Sequence, residues 1–509
     1  MQSRPIGQHE NFFHVAQEAF GCLDVMVSRL TISTAHLQDV SPELLLSVHR
    51  QVTQRHPMLR CQIKGDGEQR CIQVQTMAHL ATEYAHAPPA RLESPAELCE
   101  ADIQRLMAAE LQDGFIGPLY WRLRAIRHPG TEEHLTLLIA VDHTVGDGIS
   151  CVSVARDVLT ALAGDALGPE LPFLPSCSDL LSADGSGGGA QPPPPSAPAV
   201  HYLPTCRTCD SSSATAKAAQ RWVTHSLDAA EVAALAAACR RAGTTVTGAL
   251  TAAAIQALRL CLGDAGWGWV PSSASHFGQR GGGGDDGTKP TADRGDDDND
   301  EATPAAAAAA AAAATEEEEE GGGARQLHCF FPVSLRRMYA APISDEHVGF
   351  HFGGASTWWH IAGAASPAAT PGVTLDWALA VEAKARLGAC IGRGEPMHLT
   401  AKPASDAALL GSLRAAAARG GGRTKALTLS NRGRFELPCE LVAFQHTTNI
   451  EPCGPALQLS AVTLNGTFFM TLAFVTPHLS LEIGSQVADR IVASLRAAPP
   501  AEVRGVRTL

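Results

Sequence analysis

Six consecutive residues, His143-Thr144-Val145-Gly146-Asp147-Gly148, carry the side chains best suited to chemistry. Neutral imidazole has a pKa close to physiological pH, so it can take a proton from a weak nucleophile such as a hydroxyl. A general base of this kind contributes roughly 10²–10⁴-fold to a rate, and the positioning of the reactants must supply the rest. A single histidine before a turn is more often structural than catalytic, so the segment alone leaves both interpretations open.

This segment lies between two predicted elements. Residues 135–141 form an apolar run of strand length, and the apolar residues from Ile149 to Leu159 recur with helical spacing. A turn from strand to helix aims its side chains into a cleft. Within that turn, the short, charged Asp147 is expected to pair with a distant arginine, and Gly148 permits a backbone conformation or a close approach that a Cβ would block.

Helices and strands are predicted in both halves of the chain. Ser41 caps a helix that ends before Pro57, because a serine, a proline and an acid open it in the preferred order. In the second half, a strand at 221–227 precedes a helix that begins with a capping box at Asp228 and ends at Gly243.

The remaining elements complete an α/β pattern. Thr247 is expected to cap the next helix, and Asn465-Gly466 between two apolar runs is the strongest short signal for a β-hairpin. A last amphipathic helix has Val487, Ile491 and Leu495 on one face. Strands and helices mixed in this way predict an α/β fold.

Low-complexity stretches divide the chain. Glycine and proline runs lie within a predicted linker at 166–215, and Gly, Asp, Ala and Glu runs form a predicted insertion at about 272–325. The low-complexity stretches themselves, at 185–195 and about 278–323, have too little apolar surface to offset their chain entropy, so both are expected to be poorly ordered. This division leaves an N-terminal unit at 1–165 and a C-terminal unit at 216–509.

Composition excludes several classes of partner. The formal charge of −13 and the pI of about 5.8 argue against binding to nucleic acid or to anionic lipid. No apolar run is long enough to span a membrane, and the 14 scattered cysteines follow no secretory signal. We therefore expect a soluble, cytoplasmic protein with reduced thiols.

The sequence resembles the CoA-dependent acyltransferase superfamily, which includes condensation domains, polyketide-associated acyltransferases, alcohol O-acetyltransferases and the BAHD plant enzymes. Six short segments occur in the order of that superfamily, and the resemblance covers most of the chain outside the two low-complexity stretches. The segments are Arg55-His56-Pro57-Met58-Leu59-Arg60, Gly117-Pro118-Leu119-Tyr120-Trp121-Arg122, His143 to Gly148, Pro332-Val333-Ser334-Leu335-Arg336-Arg337, Ser430-Asn431-Arg432-Gly433 and Asn465-Gly466.

The resemblance implies two chloramphenicol-acetyltransferase-like subdomains with a tunnel at their interface and His143 at its centre. It implies a mainly structural Asp147, with Arg336 as its partner from the other subdomain. Asn431 resembles the asparagine that borders the tunnel, where it contacts substrate, and a role as a turn residue before Gly433 is the open alternative.

The resemblance also bears on the substrates. It implies an acyl thioester donor and a small alcohol or amine acceptor, with acyl-CoA as co-substrate, a carrier protein as the other possible donor, and no separate cofactor. Asp142 stands where many relatives have a second histidine, and no Asp-Phe-Gly-Trp-Gly segment is present. These departures favour the alcohol acetyltransferase and polyketide-associated branches over the BAHD enzymes.

Three other interpretations of the sequence differ from this function. Cys206 and Cys209 have only half the spacing pattern of a zinc site, so no metal is expected. His351 alternates with aromatic residues and could line the tunnel, although a packed histidine is the simpler interpretation. A non-catalytic relative that binds a ligand or a partner is the alternative from another functional class.

Overall fold

The structure is a computed structural model. It describes residues 2–20, 25–35, 37–86, 89–113, 119–130, 133–183, 200–204, 219–262, 267–271, 326–360, 374–398, 406–407, 409–411, 414, 425–450, 454–476 and 478–497. The predicted insertion at 272–325, the glycine and proline runs of the predicted linker, and Cys206 and Cys209 lie outside these residues.

Short helices and strands alternate along both halves of the chain. The first half contains β1 (Ser3–Pro5), α1 (Gln8–Phe20), β2 (Val25–Ser33), α2 (Pro42–Arg55), β3 (Cys61–Lys64), β4 (Cys71–Val74), α3 (Met77–His86), β5 (Ala90–Glu93), α4 (Glu100–Gln112), β6 (Trp121–Arg127), β7 (His134–Asp142), α5 (Gly148–Leu162) and α6 (Cys177–Ala183). The second half contains β8 (Val200–Pro204), β9 (Ala219–Leu227), α7 (Ala229–Ala242), α8 (Val246–Leu262), β10 (Trp267–Pro271), β11 (Gln326–Ser334), β12 (Phe352–His360), α9 (Trp377–Gly392), α10 (Glu395–His398), β13 (Leu427–Phe435), β14 (Leu441–Thr448), β15 (Leu457–Leu464), β16 (Thr467–Thr476) and α11 (Leu481–Arg496).

One sheet belongs mainly to the N-terminal half. Its strand order is β14-β2-β7-β6-β5, and every pair is antiparallel except β5 with β6. The edge strand β14 comes from the C-terminal half and pairs with β2 in a register that sets His446 opposite Ser28. The two halves therefore share a sheet, a feature that no pattern in the sequence indicates.

The second large sheet belongs to the C-terminal half. Its order is β10-β8-β11-β13-β15-β16-β9, and β12 pairs with β11. Helices α8, α9 and α11 pack on this sheet through an apolar core that includes Leu250, Ala380, Leu472 and Ile491. A small three-stranded sheet, β1-β4-β3, lies apart from both. The predicted α/β class is confirmed.

Most predicted element ends are confirmed, and one is wrong. The Ser41 hydroxyl accepts a hydrogen bond from the Leu44 amide at the start of α2. Helix α7 begins with the predicted capping box and ends at Gly243, whose φ is 75°. The cap of α8 is Thr245, which accepts from the Gly248 amide, and not Thr247, which lies inside the first turn. Neighbouring threonines offer the same hydroxyl, so the sequence does not separate them.

The predicted hairpin joins β15 to β16. Asn465 and Gly466 have φ values of 49° and 82°, so both central residues are left-handed, as a type I′ turn requires. The Asn465 side chain also accepts from the Leu437 amide at 2.6 Å and donates to the carbonyls of Leu437 and Cys439 at 3.2 and 2.7 Å. The turn thus holds the segment that leads from β13 into the crossing strand β14.

One observation bears on membranes. No helix among the described residues is long and apolar enough by itself to span a bilayer, and α7 with α8 meets that length and composition only as a pair bent by 94°.

Substitutions at Asn465 test the turn and its side-chain bonds separately. Asn465→Gly keeps the positive φ and removes the three hydrogen bonds, so we expect it to lower the free energy of unfolding by about 1–3 kcal/mol. Asn465→Ala loses the same hydrogen bonds and, unlike glycine, keeps a Cβ in the left-handed region, so we expect it to be about 1–2 kcal/mol less stable than the glycine variant. Urea unfolding measures both, and an alanine variant as stable as the glycine variant would contradict the strained-turn account.

Candidate active site

The turn between β7 and α5 carries His143. Asp142, the last residue of β7, accepts a hydrogen bond from the Thr144 amide at 2.7 Å, and its carbonyl accepts one from the Val145 amide. Burial raises the pKa of the Asp142 carboxyl to about 6, although the hydrogen bonds that it accepts act to lower this pKa. Asp142 therefore shapes the turn from the position where many members of the superfamily have a histidine.

Asp147 is the N-cap of α5 and the most heavily bonded side chain of the turn. Its Oδ1 accepts from the Ser150 amide at 2.8 Å, and its Oδ2 accepts from the His351 amide at 3.2 Å. Arg336 donates from Nη1 to Oδ2 at 2.5 Å and from Nη2 to Oδ1 at 3.1 Å. Burial acts to raise the pKa of Asp147, but the charge and hydrogen bonds of Arg336 outweigh it and hold the pKa at about 2.

This ion pair joins the two halves of the chain. Arg336 follows β11 in the C-terminal half and is fully buried, and its Nη2 also donates to the His347 carbonyl at 3.1 Å. Ser150 adds a second link, because its hydroxyl lies 3.0 Å from the Gly349 carbonyl and accepts from the Gly349 amide. The position of the turn, and with it His143, depends on these contacts.

The imidazole of His143 lies among aromatic rings. Phe13 of α1 stacks on it with ring centroids 4.4 Å apart and planes 16° apart. Phe352 and Phe350 lie at 5.3 and 5.6 Å in tilted arrangements. The ring is partly exposed, and its buried Nδ1 has no regular hydrogen-bond partner among the described residues.

Burial among these rings lowers the pKa of His143 below its ordinary value of 6.5. The backbone carbonyl groups of His143 and Gly146 and the charge of Asp147 act in the opposite direction and only partly offset this effect. Because a base must be unprotonated to accept a proton, the lowered pKa favours the reactive form at neutral pH.

Phe350, His351 and Phe352 alternate in the groups that they contact. Phe350 and Phe352 contact the His143 ring, whereas His351 between them lies 3.2 Å from the Tyr339 hydroxyl through Nδ1. Burial is the main cause that lowers the pKa of His351 to about 3. His351 is therefore a packed neutral histidine, and the phenylalanines on either side of it line the site.

Gly148 provides space for a close approach. Its φ is not among the positive values, so no special backbone conformation requires glycine here. A Cβ at this position would lie 3.0 Å from Cδ and 3.1 Å from Nε of Arg432. Of the two roles expected for Gly148, the structure shows the close approach.

Asn431 precedes this arginine in β13. Its Nδ2 donates to the Thr247 hydroxyl at 3.1 Å, and its Oδ1 accepts from the Gly433 amide at 3.2 Å, where Gly433 has a φ of 94°. Both polar atoms thus serve the local turn and its contact with α8. A contact between Asn431 and substrate stays a prediction.

Three residues near His143 were not identified from the sequence. Phe13 and His446 are remote in the chain, and no motif marks them. Arg432 lies inside the segment quoted for Asn431, so the resemblance pointed to its strand without giving it a role. The charges of Arg432 and His143 both lower the pKa of His446, although burial is the main cause, so these groups form one cluster.

Among the residues that the structure describes, no group of three or more His, Cys, Asp or Glu side chains is arranged to hold a metal ion.

Comparison with solved structures shows that the chain shares its fold with an O-acetyltransferase and with condensation domains. No protein-family model and no curated protein sequence matches the chain. Among solved structures, trichothecene 15-O-acetyltransferase from Fusarium sporotrichioides is 11% identical, with a TM-score of 0.61 over 97% of this chain and 95% of that one.

Two condensation domains are also similar. The domain of the monacolin K polyketide synthase is 10% identical, with a TM-score of 0.59 over 97% of each chain. The first condensation domain of the calcium-dependent antibiotic synthetase is 12% identical, with a TM-score of 0.56 over 97% of this chain and 96% of that one. At these identities the comparison establishes the fold, and the chemistry has to be argued from the site.

Substitution of Asp147 tests the link between the halves. Asp147→Asn leaves the buried Arg336 without its counter-charge, so we expect a loss of about 3–5 kcal/mol in the free energy of unfolding. Glu436→Gln, which breaks the exposed Arg434–Glu436 pair, is the control and should cost no more than about 1 kcal/mol. Chemical denaturation at pH 7 measures both.

The same pair sets a pH dependence. The pKa of Asp147 lies at about 2 in the folded protein, below the ordinary 3.8, so its contribution is full above the ordinary value and is lost as pH falls towards 2. The stability difference between wild type and Asp147→Asn should shrink in that acid range. A difference that stays constant from neutral pH down to about pH 2 would contradict a charged Asp147 in the folded state.

Proposed function

We propose that the protein transfers an acyl group from a thioester, in the first place acyl-CoA, to the hydroxyl of an alcohol, with His143 as general base. The observation that carries this proposal is the His143 imidazole itself: partly exposed, with a lowered pKa, and fixed where the two halves meet. A histidine kept only for packing has no need of a partly exposed ring whose buried Nδ1 lacks a regular hydrogen bond among the described residues.

The reaction follows from what neutral imidazole does. His143 accepts the hydroxyl proton while the oxygen bonds to the thioester carbonyl carbon, and the carbonyl electron pair moves to its oxygen. When this tetrahedral intermediate collapses, the carbon–sulfur bond breaks, and the departing thiolate takes the proton from the imidazolium. The products are an ester and a free thiol, and His143 is neutral again.

The aromatic rings around His143 serve this chemistry in two ways. Phe13, Phe350 and Phe352 cover part of the ring, which limits the access of water and so protects the thioester from hydrolysis. They also lower the local dielectric constant, which strengthens the interaction of the imidazolium with the charge that develops on the intermediate. Asp147 acts through position, since its oxygens are occupied by Arg336, Ser150 and His351.

The fold supports acyl transfer in general, and the identities of the thioester donor and of the acceptor are open. Similar structures include an O-acetyltransferase and condensation domains of synthases, so a carrier-protein thioester is the second candidate donor. An amine acceptor is the variant of the same chemistry, because His143 would take its proton in the same way. The measurements below include both alternatives.

Free-thiol release measures the transfer directly. Wild-type protein is incubated with a panel of acyl-CoA donors and mixed alcohols and amines, and the thiol that appears is followed against time. We expect acceptor-dependent release, and His143→Ala should lower it about 10²–10⁴-fold because the base is lost.

The control is His79→Ala, which removes an exposed histidine of α3 and should leave the rate unchanged. Equal melting temperatures establish that the His143 variant is folded. Retention of most of the activity by His143→Ala would remove the mechanism. If neither acyl-CoA nor an acyl-carrier-protein thioester releases thiol with any acceptor, the protein is a binding relative of these enzymes and not a transferase.

The pH profile tests the state of the base. Because burial lowers the pKa of His143 below 6.5, kcat/KM should be level above pH 6.5 and fall only as the pH drops through that lowered pKa. Initial rates between pH 4.5 and about 8.5 give the midpoint. A midpoint above 6.5 would be incompatible with a neutral, desolvated His143.

A further inference from the structure

Arg432 is a buried cation that forms no ion pair with any of the residues that the structure describes. It lies in β13, where the pairing with β15 is interrupted between Asn431 and Arg434, and only 9% of its surface is exposed. Its Nε and Nη1 atoms are buried and have no hydrogen-bond partner among the described residues. None of the ion pairs found in that part of the chain includes Arg432, whereas the neighbouring Arg434 pairs with Glu436 at 3.1 Å.

An arrangement of this kind works against folding. Removing a guanidinium from water costs several kcal/mol unless hydrogen bonds and a counter-charge compensate it. Burial lowers the pKa of Arg432 to about 10, and the nearby Cys151 and Asp147 offset this effect only in part. The group still carries its charge at neutral pH, and Asp147 is already bonded to Arg336.

The side chain packs close to the turn that carries His143. It packs against Gly148, the first residue of α5, and a Cβ there would come within 3.0 Å of it. His446, whose Nδ1 lies 2.9 Å from the Ser28 hydroxyl, is affected by the charges of both Arg432 and His143. The glycine that follows Asp147 therefore gives this arginine room to reach the cluster that contains His143.

We propose that the Arg432 guanidinium binds a negatively charged oxygen of the reacting molecules beside His143. This inference deepens the proposed function and rests on it for the identity of the reaction. Two sources supply such an oxygen: a carboxylate carried by a substrate, and the oxyanion that forms when the hydroxyl adds to the thioester carbonyl. A planar guanidinium whose Nε and Nη1 have no hydrogen-bond partner among the described residues suits either one.

The first test separates a functional arginine from a structural one. Arg432→Met keeps much of the apolar volume and removes the unpaired charge, so its melting temperature should equal or exceed that of wild type. Acyl transfer should fall about 10²–10³-fold, as when one donor to an oxyanion is removed. Arg434→Met, the exposed control two residues away, should change neither quantity. A lower melting temperature for Arg432→Met would overturn the proposal, because it would give Arg432 a structural role.

The second test is independent of turnover. Sodium acetate, as a small carboxylate probe, should raise the melting temperature of wild-type protein with saturation, at constant ionic strength, and neutral acetamide should not. The rise should disappear in Arg432→Met and persist in Arg434→Met. An acetate effect that survives in Arg432→Met, or no effect in wild type, would overturn the site. This test needs no turnover of a thioester. Failure of the anion site can therefore be distinguished from failure of the proposed acyl transfer.

Kinetics then identify the source of the charge. Acetyl-CoA is compared with malonyl-CoA, and a hydroxy acid acceptor with its methyl ester. If Arg432 binds the oxyanion, Arg432→Met lowers kcat for every pair with little change in KM. If it binds a substrate carboxylate, KM rises for the charged member of a pair and not for the neutral one. Arg432→Lys, which keeps the charge without the planar fork, should recover part of either effect. Unchanged kcat and KM for all pairs would overturn the proposal.

Discussion

The buried ion pair between Asp147 and Arg336 is the constraint on which the site depends. The Asp147 carboxylate caps α5. It also accepts hydrogen bonds from both terminal nitrogens of Arg336 and from the His351 amide, which belong to the other half of the chain. Because breaking a buried ion pair is strongly destabilising, the pair holds the turn against the C-terminal half. His143 is thereby fixed at the meeting of the two halves.

The crossing strand β14 also connects the two halves of the chain. It pairs with β2 along its length and brings His446 of the C-terminal half opposite Ser28 in the N-terminal sheet. The hairpin residue Asn465 holds the segment that leads into it. An ion pair and a shared sheet thus connect the halves, and the cluster of His143, Arg432 and His446 forms between them.

Two buried arginines near the site differ in whether a carboxylate pairs with them. Arg336 is fully buried and has a carboxylate partner, so its charge stabilises the fold. Arg432 is nearly as buried and has no such partner among the described residues, so its charge remains available to a ligand. A protein retains an uncompensated buried charge only at a cost in stability, which is why such groups concentrate at functional sites.

Local sequence patterns determined the helices, the strands and the turn that carries His143. The apolar run before it, the helical spacing after it and the Asn465-Gly466 hairpin depend on neighbouring residues, so the chain order expresses them directly. The order of short motifs also predicted a fold that similar solved structures confirm. The N-cap of α8 was misassigned, because adjacent threonines offer the same cap.

Only the tertiary structure decided which remote side chains surround His143. Phe13 stacks on it from a helix near the N-terminus, and Arg432 and His446 join it from strands near the other end. Whether a charge has a partner depends on distances across the whole fold. The sequence therefore does not distinguish Arg336 from Arg432, whereas in the structure only the first of these two pairs with a carboxylate among the described residues. Burial and pairing are properties of packing, and no local pattern along the chain encodes them.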